Sequence, residues 1–476
     1  MTAGDTLPPH LPVIIAGAGP CGLVAALTLQ QHGVPFVVYE KAAAERLCSN
    51  AGSGFDMAPA ALSILEHDLG LGEGLDKSMR PYEYMHMATM KGKLLTNIDL
   101  RGFKVTHSRS FGFASRATLQ HALLDKLGWR DPQTGKVKDG GSSLHCNASI
   151  TEYRQTNDGS VVEVTLSDGT TARGCVLLAC DGIHSGIRRH MLRNTNDPYH
   201  YCGQDALWGK TTVQEGSNLD RELKRIAKDH NMEDGHVSIM TLGSHKRPGY
   251  FFTTEVAPLE HAWVMGVPCK NPPDANDSDD LTRRGGVRLT GKAKDEEIDN
   301  VLTPEHSSLI RSIMSQSEDI TRAGLFDREN LSAPYTDGLV ALLGDAAHPQ
   351  SPMMGQGANM AICDGYVAAT RIAAAIQKSN ADPEKDNNIT AHLRHAIEEY
   401  NCQQRRKENN KVIKKARLYG NWMGSTNRIA TWALQMVTKY TSASTLVGEG
   451  TSGDRSNQKF LEKLKKDTAN LSGQSF

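Results

Sequence analysis

The sequence of 476 residues predicts an α/β fold with a second domain built on an antiparallel sheet. Three short apolar runs, at residues 13–16, 175–179 and 339–343, each end in a Gly-rich or Asp-Gly turn that leads towards a helical pattern. Between residues 199 and 267 the pattern changes to longer, partly alternating strands. The first feature predicts strands with crossover helices, and the second predicts a separate antiparallel sheet.

The N-terminal turn has the spacing of a dinucleotide-binding loop. Gly17, Gly19 and Gly22 follow the first apolar run as GxGxxG, which permits a tight turn, close approach of a pyrophosphate and close helix packing. The next apolar run, residues 36–39, ends before Glu40. In dinucleotide-binding folds an acidic residue at this position accepts a hydrogen bond from a ribose hydroxyl. An acid here favours FAD or NAD over a 2′-phosphorylated nucleotide. The pattern therefore predicts a Rossmann-type domain, in preference to a glycine-rich turn that binds nothing.

The third turn offers groups for an electron-rich ligand. The apolar run 339–343 stops at Gly344, exposes the carboxylate of Asp345 and re-enters a helix through Gly355-Gln-Gly. Backbone N–H groups at a helix N-terminus favour negative charge, and a carboxylate accepts hydrogen bonds from hydroxyls. His348 and His184 belong to motif turns, so a structural role is favoured over acid–base work for both.

Composition excludes several classes of protein. The net charge of −1, without a long basic run, argues against nucleic-acid binding. Nine cysteines without CxxC spacing fit a reducing compartment and argue against a disulfide framework or a metal site. No signal-peptide pattern and no membrane-spanning run is evident, so a cytoplasmic location is expected. The short apolar run 429–437 is interpreted as a packed helix in preference to membrane contact.

A middle segment completes a family resemblance. Residues 180–188 read CDGIHSGIR, with Asp181 after a buried strand and Arg188 on the following turn. With GAGPCG at 17–22 and GDAAHPQSPMMGQGAN at 344–359, this resembles the single-component (group A) FAD-dependent monooxygenases, the aromatic hydroxylases and their relatives. Residues 52–57 are locally similar to tetracycline-inactivating monooxygenases. Other parts resemble fungal natural-product flavin monooxygenases, which suggests a role in secondary metabolism.

The resemblance implies a set of cofactor-binding residues. The glycines of the first turn would hold the diphosphate, Glu40 the adenosine ribose and Asp345 the ribityl hydroxyls. Arg116, at the start of a predicted helix, would reach the diphosphate, and Asp181 with Arg188 would serve both FAD and NAD(P)H. The full set is Gly17, Gly19, Gly22, Glu40, Ser53, Asp56, Arg116, Asp181, Asp345, Pro352, Gly355, Gly357, Ala358 and Asn359.

The remaining members of that set would surround the flavin ring. Asp56 is expected to contact the flavin. Residues 355–359 would present backbone groups to the isoalloxazine, and Pro352 would mark the loop beside the ring where oxygen reacts. The candidate substrate pocket, expected to be apolar, consists of Trp208, Met240, Phe252, Trp263, Met265 and Met353.

The resemblance also implies the chemistry. NAD(P)H would reduce FAD, O2 would give a C4a-hydroperoxide, and one oxygen atom would enter an aromatic or polycyclic small molecule. No catalytic side chain is identified from the sequence. The alternatives are an FAD-dependent reductase, dehydrogenase or halogenase on the same scaffold, or a non-enzymatic flavin-binding escort protein. A monomer or a homodimer is expected.

The predicted division of the chain follows from these assignments. Three separated segments form the FAD-binding domain, two form the substrate domain, and the rest forms C-terminal helices and a mobile polar tail. The FAD-binding segments are 1–79, 106–190 and 320–380, the substrate segments 80–105 and 191–319, the helices 381–441 and the tail 442–476. One long helix is expected over 391–420.

Overall fold

The computed structural model describes most of the chain. The described residues are 11–50, 52, 54–101, 111–131, 133–138, 143–193, 195–228, 237–269, 286–328, 335–381, 388–401, 403–441 and 452–472. Ser53, expected among the flavin contacts, lies outside them.

A mainly parallel six-stranded sheet forms the first layer. Its spatial order is β19-β20-β12-β1-β2-β8, and only β19 runs antiparallel to its neighbour. These strands are β1 (Val13–Ala16), β2 (Phe36–Tyr39), β8 (Leu144–His145), β12 (Val176–Ala179), β19 (Thr336–Asp337) and β20 (Val340–Leu342). Because β1, β2, β12 and β20 are parallel, the turns that follow them meet at one sheet edge. The Rossmann-type prediction is confirmed.

An eight-stranded sheet forms the second layer, in the order β17-β18-β13-β16-β15-β14-β5-β6. All neighbours are antiparallel except β5 and β14, which run parallel. Its strands are β5 (Tyr84–Thr89), β6 (Leu94–Asp99), β13 (Tyr199–Thr212), β14 (Val237–Ser244), β15 (Arg247–Ala257), β16 (Glu260–Pro268), β17 (Val287–Thr290) and β18 (Asp319–Arg328). The prediction placed β18 with the FAD-binding segments, which is wrong, because it pairs with β13 from Tyr199↔Arg328 to Gly209↔Ile320.

Two small sheets complete the described part of the fold, and one of them, formed by β3, β4 and β7, contacts the eight-stranded sheet. One has the order β11-β10-β9 and the other β3-β7-β4. Their strands are β3 (Gly54–Met57), β4 (Met79–Pro81), β7 (Gly112–Ser115), β9 (Ile150–Gln155), β10 (Val162–Leu166) and β11 (Thr171–Gly174). The second of these sheets packs through β4 and β7 against β15 of the eight-stranded sheet.

Helices surround both layers. From the N-terminus to the large sheet they are α1 (Pro20–Gln31), α2 (Ala44–Leu47), α3 (Pro59–Ser63, continued by a π turn to Asp68), α4 (Gly72–Ser78), α5 (Arg116–Lys126), α6 (Gly186–Met191), α7 (Asn218–Lys228), α8 (Gly291–Val301) and α9 (Ser308–Ser315). The later ones are α10 (Gly357–Ala381), α11 (Ile389–Tyr400), α12 (Gln403–Met423), α13 (Arg428–Tyr440) and α14 (Ser452–Ser472). Among the described residues, no helix is both long and apolar enough to cross a bilayer.

The C-terminal part differs from the prediction in two ways. The single helix expected over 391–420 is two helices, α11 and α12, separated at Asn401. The segment expected as a mobile tail contains α14, whose Leu461 and Leu464 are buried in the core of the first layer. Asp454 at its start accepts a hydrogen bond from the Ala60 N–H (2.8 Å). A mostly polar helix is therefore anchored by few apolar side chains and one buried acid.

Candidate active site

The GxGxxG turn packs as its spacing predicts. Gly17 has φ +98°, and a Cβ there would lie 2.6 Å from the carbonyl oxygen of Cys180, so a side chain would be excluded. The Gly17 N–H donates to the Tyr39 carbonyl (2.7 Å), which joins the turn to β2. No described atom lies within 4 Å of a Cβ built on Gly19. The space beside Gly19 is therefore open for a diphosphate.

Glu40 closes the same turn from the end of β2. Its Oε2 accepts from the Ala18 N–H (2.7 Å) and its Oε1 from the Ala42 N–H (2.7 Å). The side chain is buried. Each carboxylate oxygen has a second lone pair, so the residue can hold the turn and still accept a hydrogen bond from a ribose hydroxyl.

Arg116 and Asp345, hereafter the cleft pair, lie within electrostatic range of each other. Both side chains are exposed to solvent, yet burial by the surrounding protein raises the pKa of Asp345 and lowers the pKa of Arg116. Each acts on the other's pKa towards the charged form, and Glu40 supports the charge of Arg116. Among the described residues, neither makes a hydrogen bond or an ion pair. Exposure combined with partial desolvation is typical of groups that line a deep cleft.

The donors and acceptors of this cleft fit FAD. Arg116 offers a cation for the diphosphate, Asp345 an acceptor for hydroxyls, and Gly19 an unobstructed approach. The N–H groups at the start of α10, a 25-residue helix that begins at Gly357, have no acceptor within their own helix and can donate to electron-rich atoms of a ligand. A glycine-rich turn that bound nothing would not need this set of donors and acceptors beside it.

The two charged residues of the Asp-Gly turn after β12, Asp181 and Arg188, differ in how far the protein satisfies their hydrogen bonds. Asp181 Oδ2 accepts from the N–H groups of Gly186 (2.9 Å) and Ile187 (3.4 Å), while Oδ1 is buried without a hydrogen-bond partner in the described part of the chain. Burial raises the pKa of Asp181. An unpaired buried oxygen is costly, so Asp181 fits a position that a ligand or water satisfies.

Arg188, by contrast, is used entirely inside the protein. It is completely buried and pairs through Nε and Nη2 with both oxygens of Asp197 (2.8 Å each). Its Nη1 donates to the carbonyls of Ala346 (3.0 Å) and Ala347 (2.7 Å). Arg188 therefore fastens the Asp-Gly turn to the turn at Gly344 and Asp345, hereafter the Gly-Asp turn. Because its guanidinium is fully buried there, the expected contact of Arg188 with FAD and NAD(P)H is corrected.

A second set of charged residues lies in the interior and holds the backbone of the Gly-Asp turn by a hydrogen bond. Asp364, His348 and Arg405 form the buried network, in which Asp364 accepts from His348 Nε2 (2.6 Å), from Arg405 and from the Gly344 N–H (2.9 Å). Burial opposes ionisation of Asp364, but Arg405 and His348 outweigh it and lower the pKa of this carboxyl. The structural role preferred for His348 agrees with this geometry.

The Gly355-Gln-Gly loop is tied to β3. Gly355 is left-handed (φ +58°), and a Cβ there would collide with the Asp56 carboxylate. The buried Asn359 side chain accepts from the Ala58 N–H (2.8 Å) and donates to the carbonyls of Asp56 and Gly355 (2.8 Å each). The Asn359 amide is thus consumed in holding the loop. Backbone contacts from Gly357 and Ala358 to the isoalloxazine remain a prediction, as does the exposed Pro352 beside the ring.

Asp56 joins the cleft to an aromatic cluster. It accepts a hydrogen bond from the Tyr82 hydroxyl, and burial raises the pKa of Asp56 to about 6 against the opposing effect of that bond. Tyr82 lies edge-on to Phe252 with ring centroids 6.0 Å apart, and Phe113 lies 5.9 Å from Phe252. Tyr82 and Phe113 are not among the residues predicted from the sequence, because no motif marks either segment.

The candidate pocket residues fall on two faces of the eight-stranded sheet. Phe252 and Met240 belong to the face that carries the aromatic cluster. Trp263 and Met265 face the other way, under α8 and α9, and Trp263 Nε1 donates to Ser317 Oγ (2.8 Å). They are core residues, so their assignment to the pocket is wrong.

The last two candidate pocket residues, Trp208 and Met353, lie on the sheet face of Phe252 and beside α12, respectively. Trp208 pairs across the sheet with Val264, on the same face as Phe252. Met353 belongs to the short turn Pro352–Met354 and packs beside Gly420 of α12. Both positions are compatible with a pocket wall.

Comparison with known proteins decides the family. The model of the family described as FAD binding domain matches residues 10–196 and 287–387, more than half of the chain. The chain belongs to this family. It is an FAD-dependent monooxygenase, with NAD(P)H and O2 as co-substrates.

Individual relatives are distant but extensive. The chain is 26% identical over 365 residues to the 3-amino-4-hydroxybenzoate 2-monooxygenase PtmB3 of Streptomyces platensis, covering 76% of this chain and 80% of that protein. It is 27% identical over 365 residues to 3-hydroxybenzoate 6-hydroxylase 1 of Aquipseudomonas alcaligenes, with the same coverage. The structure of Klebsiella pneumoniae HpxO complexed with FAD and uric acid has the same fold, with a TM-score of 0.70, 21% identity, and coverage of 94% of this chain and 97% of HpxO.

Proposed function

We propose that this FAD-dependent monooxygenase inserts one oxygen atom of O2 into a hydroxylated aromatic or polycyclic small molecule. The observation that carries the proposal is the junction at Asp56. On one side of it lies the loop of Gly355 and Gly357, which reaches Asp345, and on the other the cluster of Tyr82 and Phe252. A redox cofactor and an aromatic ring can therefore be held in contact.

The chain's own residues would bind and orient the cofactor. Arg116 would pair with the diphosphate, Asp345 would accept from ribityl hydroxyls, and Glu40 would accept from the adenosine ribose. The N–H groups of Gly357 and Ala358 would face the electron-rich edge of the ring system. When bound, FAD supplies the hydride acceptance and the activation of O2, while the protein supplies placement and exclusion of water.

The Asp56–Tyr82 pair would position the substrate. A carboxyl with a pKa of about 6 changes protonation state near neutral pH, so it can accept a hydrogen bond or a proton from a phenolic group. The neighbouring Phe113 and Phe252 would stack against the ring and exclude water. Several relatives bear the names of enzymes acting on hydroxylated rings, including a 6-hydroxynicotinate 3-monooxygenase of Pseudomonas fluorescens. This supports a hydroxylated aromatic substrate here.

The test is a substrate screen with the yellow, FAD-loaded protein. NAD(P)H oxidation and O2 consumption are followed for a panel of phenols, hydroxyquinolines and polycyclic phenols, and products are analysed by mass spectrometry after reaction under isotopically heavy O2. We expect a product that carries one labelled oxygen atom. NAD(P)H oxidation that reduces the substrate without O2 consumption would instead show a reductase, and a protein that binds no FAD would contradict the proposal altogether.

We further propose a cytoplasmic location and a monomeric or homodimeric state. Every cysteine of the described chain is free, four of them buried, which supports a reducing compartment. Size-exclusion chromatography with light scattering on the FAD-loaded protein would determine the oligomeric state.

A further inference from the structure

Helix α13 turns an apolar face to solvent. Its exposed side chains include Ile429 (75% exposed), Trp432 (62%), Val437 (50%) and Tyr440 (73%). At about 100° per residue these four positions lie within one half of the helix surface. Exposed apolar residues scattered singly are ordinary, but four on one face of a 13-residue helix form a continuous apolar strip.

The opposite face of α13 is packed and more polar. Thr431, Leu434 and Thr438 are buried against the protein. Gln435 Nε2 donates to the Gly243 carbonyl (2.8 Å), and Leu434 belongs to the cluster that contains Phe252. These contacts fix the rotation of the helix. The apolar run was expected to pack against the protein, but Ile429, Trp432 and Val437 of that run are exposed.

The charges on α13 identify the kind of surface it would meet. The helix carries Arg428 and Lys439, both exposed, and no Asp or Glu. At about 100° per residue the two cations lie on the same flank of the apolar strip. In a two-fold contact between copies through this strip, the cations of one copy would meet no carboxylate from the partner's α13. An anionic surface would satisfy both at once.

We propose that the outer face of α13 docks on the surface of an anionic lipid bilayer. Trp432 and Tyr440 are of the residue types that concentrate at the membrane–water boundary, and Ile429 and Val437 would enter the acyl region beside them. Arg428 and Lys439 would contact lipid headgroups. The contact is one-sided and reversible, because the helix lies in the interface and does not cross it.

Docking through this face would have a consequence for the active site. The inner face of α13 contributes Leu434 to the aromatic cluster beside Asp56, so the substrate region lies about one helix diameter, ~10 Å, from the lipid. A polycyclic substrate that partitions into the bilayer could then enter with little exposure to water. This consequence rests on the proposed function, whereas the docking itself does not.

The experiment measures flotation of the FAD-loaded, full-length protein with vesicles. Phosphatidylcholine vesicles are compared with phosphatidylcholine–phosphatidylserine vesicles at low and high salt. We expect binding to the anionic vesicles only, weakened by salt, and a loss of about tenfold or more in the partition coefficient for Ile429→Ser/Trp432→Ser. Trp432→Phe, which keeps an apolar ring, should retain most of the binding. FAD occupancy, read from the flavin absorbance, should be equal in all variants.

A charge pair of variants provides the matched control. Arg428→Gln/Lys439→Gln should weaken binding, whereas Lys91→Gln/Lys292→Gln, which removes two exposed cations elsewhere, should leave it unchanged. The proposal is overturned if the wild-type protein remains unbound with both vesicle types, or if the Ile429→Ser/Trp432→Ser variant floats equally well. It is also overturned if the wild type is a dimer that this variant converts to a monomer without vesicle binding, since the face would then join two copies. None of these results depends on turnover, so they are separable from failure of the proposed function.

Discussion

The cleft and the interior beneath it use the same residue types in opposite ways. In the cleft pair, Arg116 and Asp345 are exposed and partly desolvated, and neither has a hydrogen-bond partner among the described residues. In the buried network, Asp364 and Arg405 are fully paired, and the Gly344 N–H is held by the same carboxylate. The comparison shows that charge in a motif does not by itself indicate a ligand contact. What distinguishes the two regions is whether the protein has already satisfied the group.

The Asp-Gly turn repeats this division within one segment. Asp181 has a buried oxygen that no described group reaches with a hydrogen bond, while Arg188 donates to Asp197, Ala346 and Ala347. The first residue is available to a ligand, and the second connects two turns that bind it. Substitutions in the satisfied group should therefore reduce stability, whereas substitutions in the unsatisfied group should reduce FAD affinity.

The largest expected effect is that of Asp364→Asn. This change leaves the Arg405 guanidinium buried without its counter-charge, which costs about 3–5 kcal/mol of unfolding free energy. The measurement is urea unfolding of the FAD-free protein, monitored by circular dichroism. Asp345→Asn is the matched control and should change the unfolding free energy by less than about 1 kcal/mol, because Asp345 is exposed and forms no ion pair with a described residue. Equal losses in the two variants would remove the distinction between the regions.

Arg188→Met should have the next largest effect. It removes four hydrogen bonds from the interior, but Asp197 keeps its pairing with Arg328. We expect a loss of about 2–3 kcal/mol in the same unfolding assay. FAD affinity should also fall, since the Ala346–Ala347 backbone that Arg188 holds belongs to the turn of Asp345. If the variant kept its stability and lost only NAD(P)H affinity, Arg188 would be a cofactor contact and not a structural residue.

Asp345→Asn should instead weaken FAD binding. A charged hydrogen bond to hydroxyls contributes about 1.5–3 kcal/mol, so the dissociation constant for FAD should rise about tenfold to 150-fold. Titration of the FAD-free protein followed by flavin fluorescence measures this change. Asp337→Asn is the control, because this carboxylate accepts from the Tyr153 hydroxyl on β9, away from the Gly-Asp turn. Equal FAD affinity in both variants would show that Asp345 is not a cofactor contact.

Much of the fold could be predicted because its signals are local. The turns at Gly17, Asp181 and Gly344 can be recognised from the spacing of glycine and aspartate after short apolar runs. Parallel strands bring these turns to one sheet edge, whatever residues lie between them in the chain. A structural role for His348 could be predicted from its place in a motif turn. Tyr82, Asp364 and Arg405 could not be predicted, since their importance comes from contacts between segments far apart in the chain. Trp263 was placed in the pocket because residue type does not reveal which sheet face a strand position occupies; a one-residue shift reverses the answer.

The two C-terminal helices show a related limit. The apolar run of α13 suggested packing, yet Ile429 and Trp432 are exposed, while the polar α14 suggested mobility, yet Leu464 is buried. Average composition describes a helix as a whole, whereas packing depends on one stripe of it. Partners that lie elsewhere in the chain, such as Ala60 for Asp454, are invisible to a local pattern.

The smallest expected effect concerns Asp454, which is buried like Asp364. It accepts hydrogen bonds from Ala60 and Gln458 and forms no ion pair with any residue that the structure describes. Burial raises the pKa of Asp454 to about 6. Its contribution to stability is therefore complete below the unfolded value near 4 and is lost as pH rises through about 6. Urea unfolding of the wild type and Asp454→Asn at pH 4.5 and pH 7.5 should show a shift of about 1–2 kcal/mol in favour of the variant at the higher pH.

That shift must be read as a difference between the two proteins, because all other titrating groups are common to both. The amide also changes the hydrogen bond with Gln458, which offsets both pH values equally and leaves the pH-dependent part intact. A constant difference at both pH values would mean that Asp454 ionises normally and that α14 opens to water. A shift in favour of the wild type at pH 7.5 would mean that a cation pairs with Asp454, which would place it with the buried network and leave charge pairing as the general way this protein keeps acids in its interior.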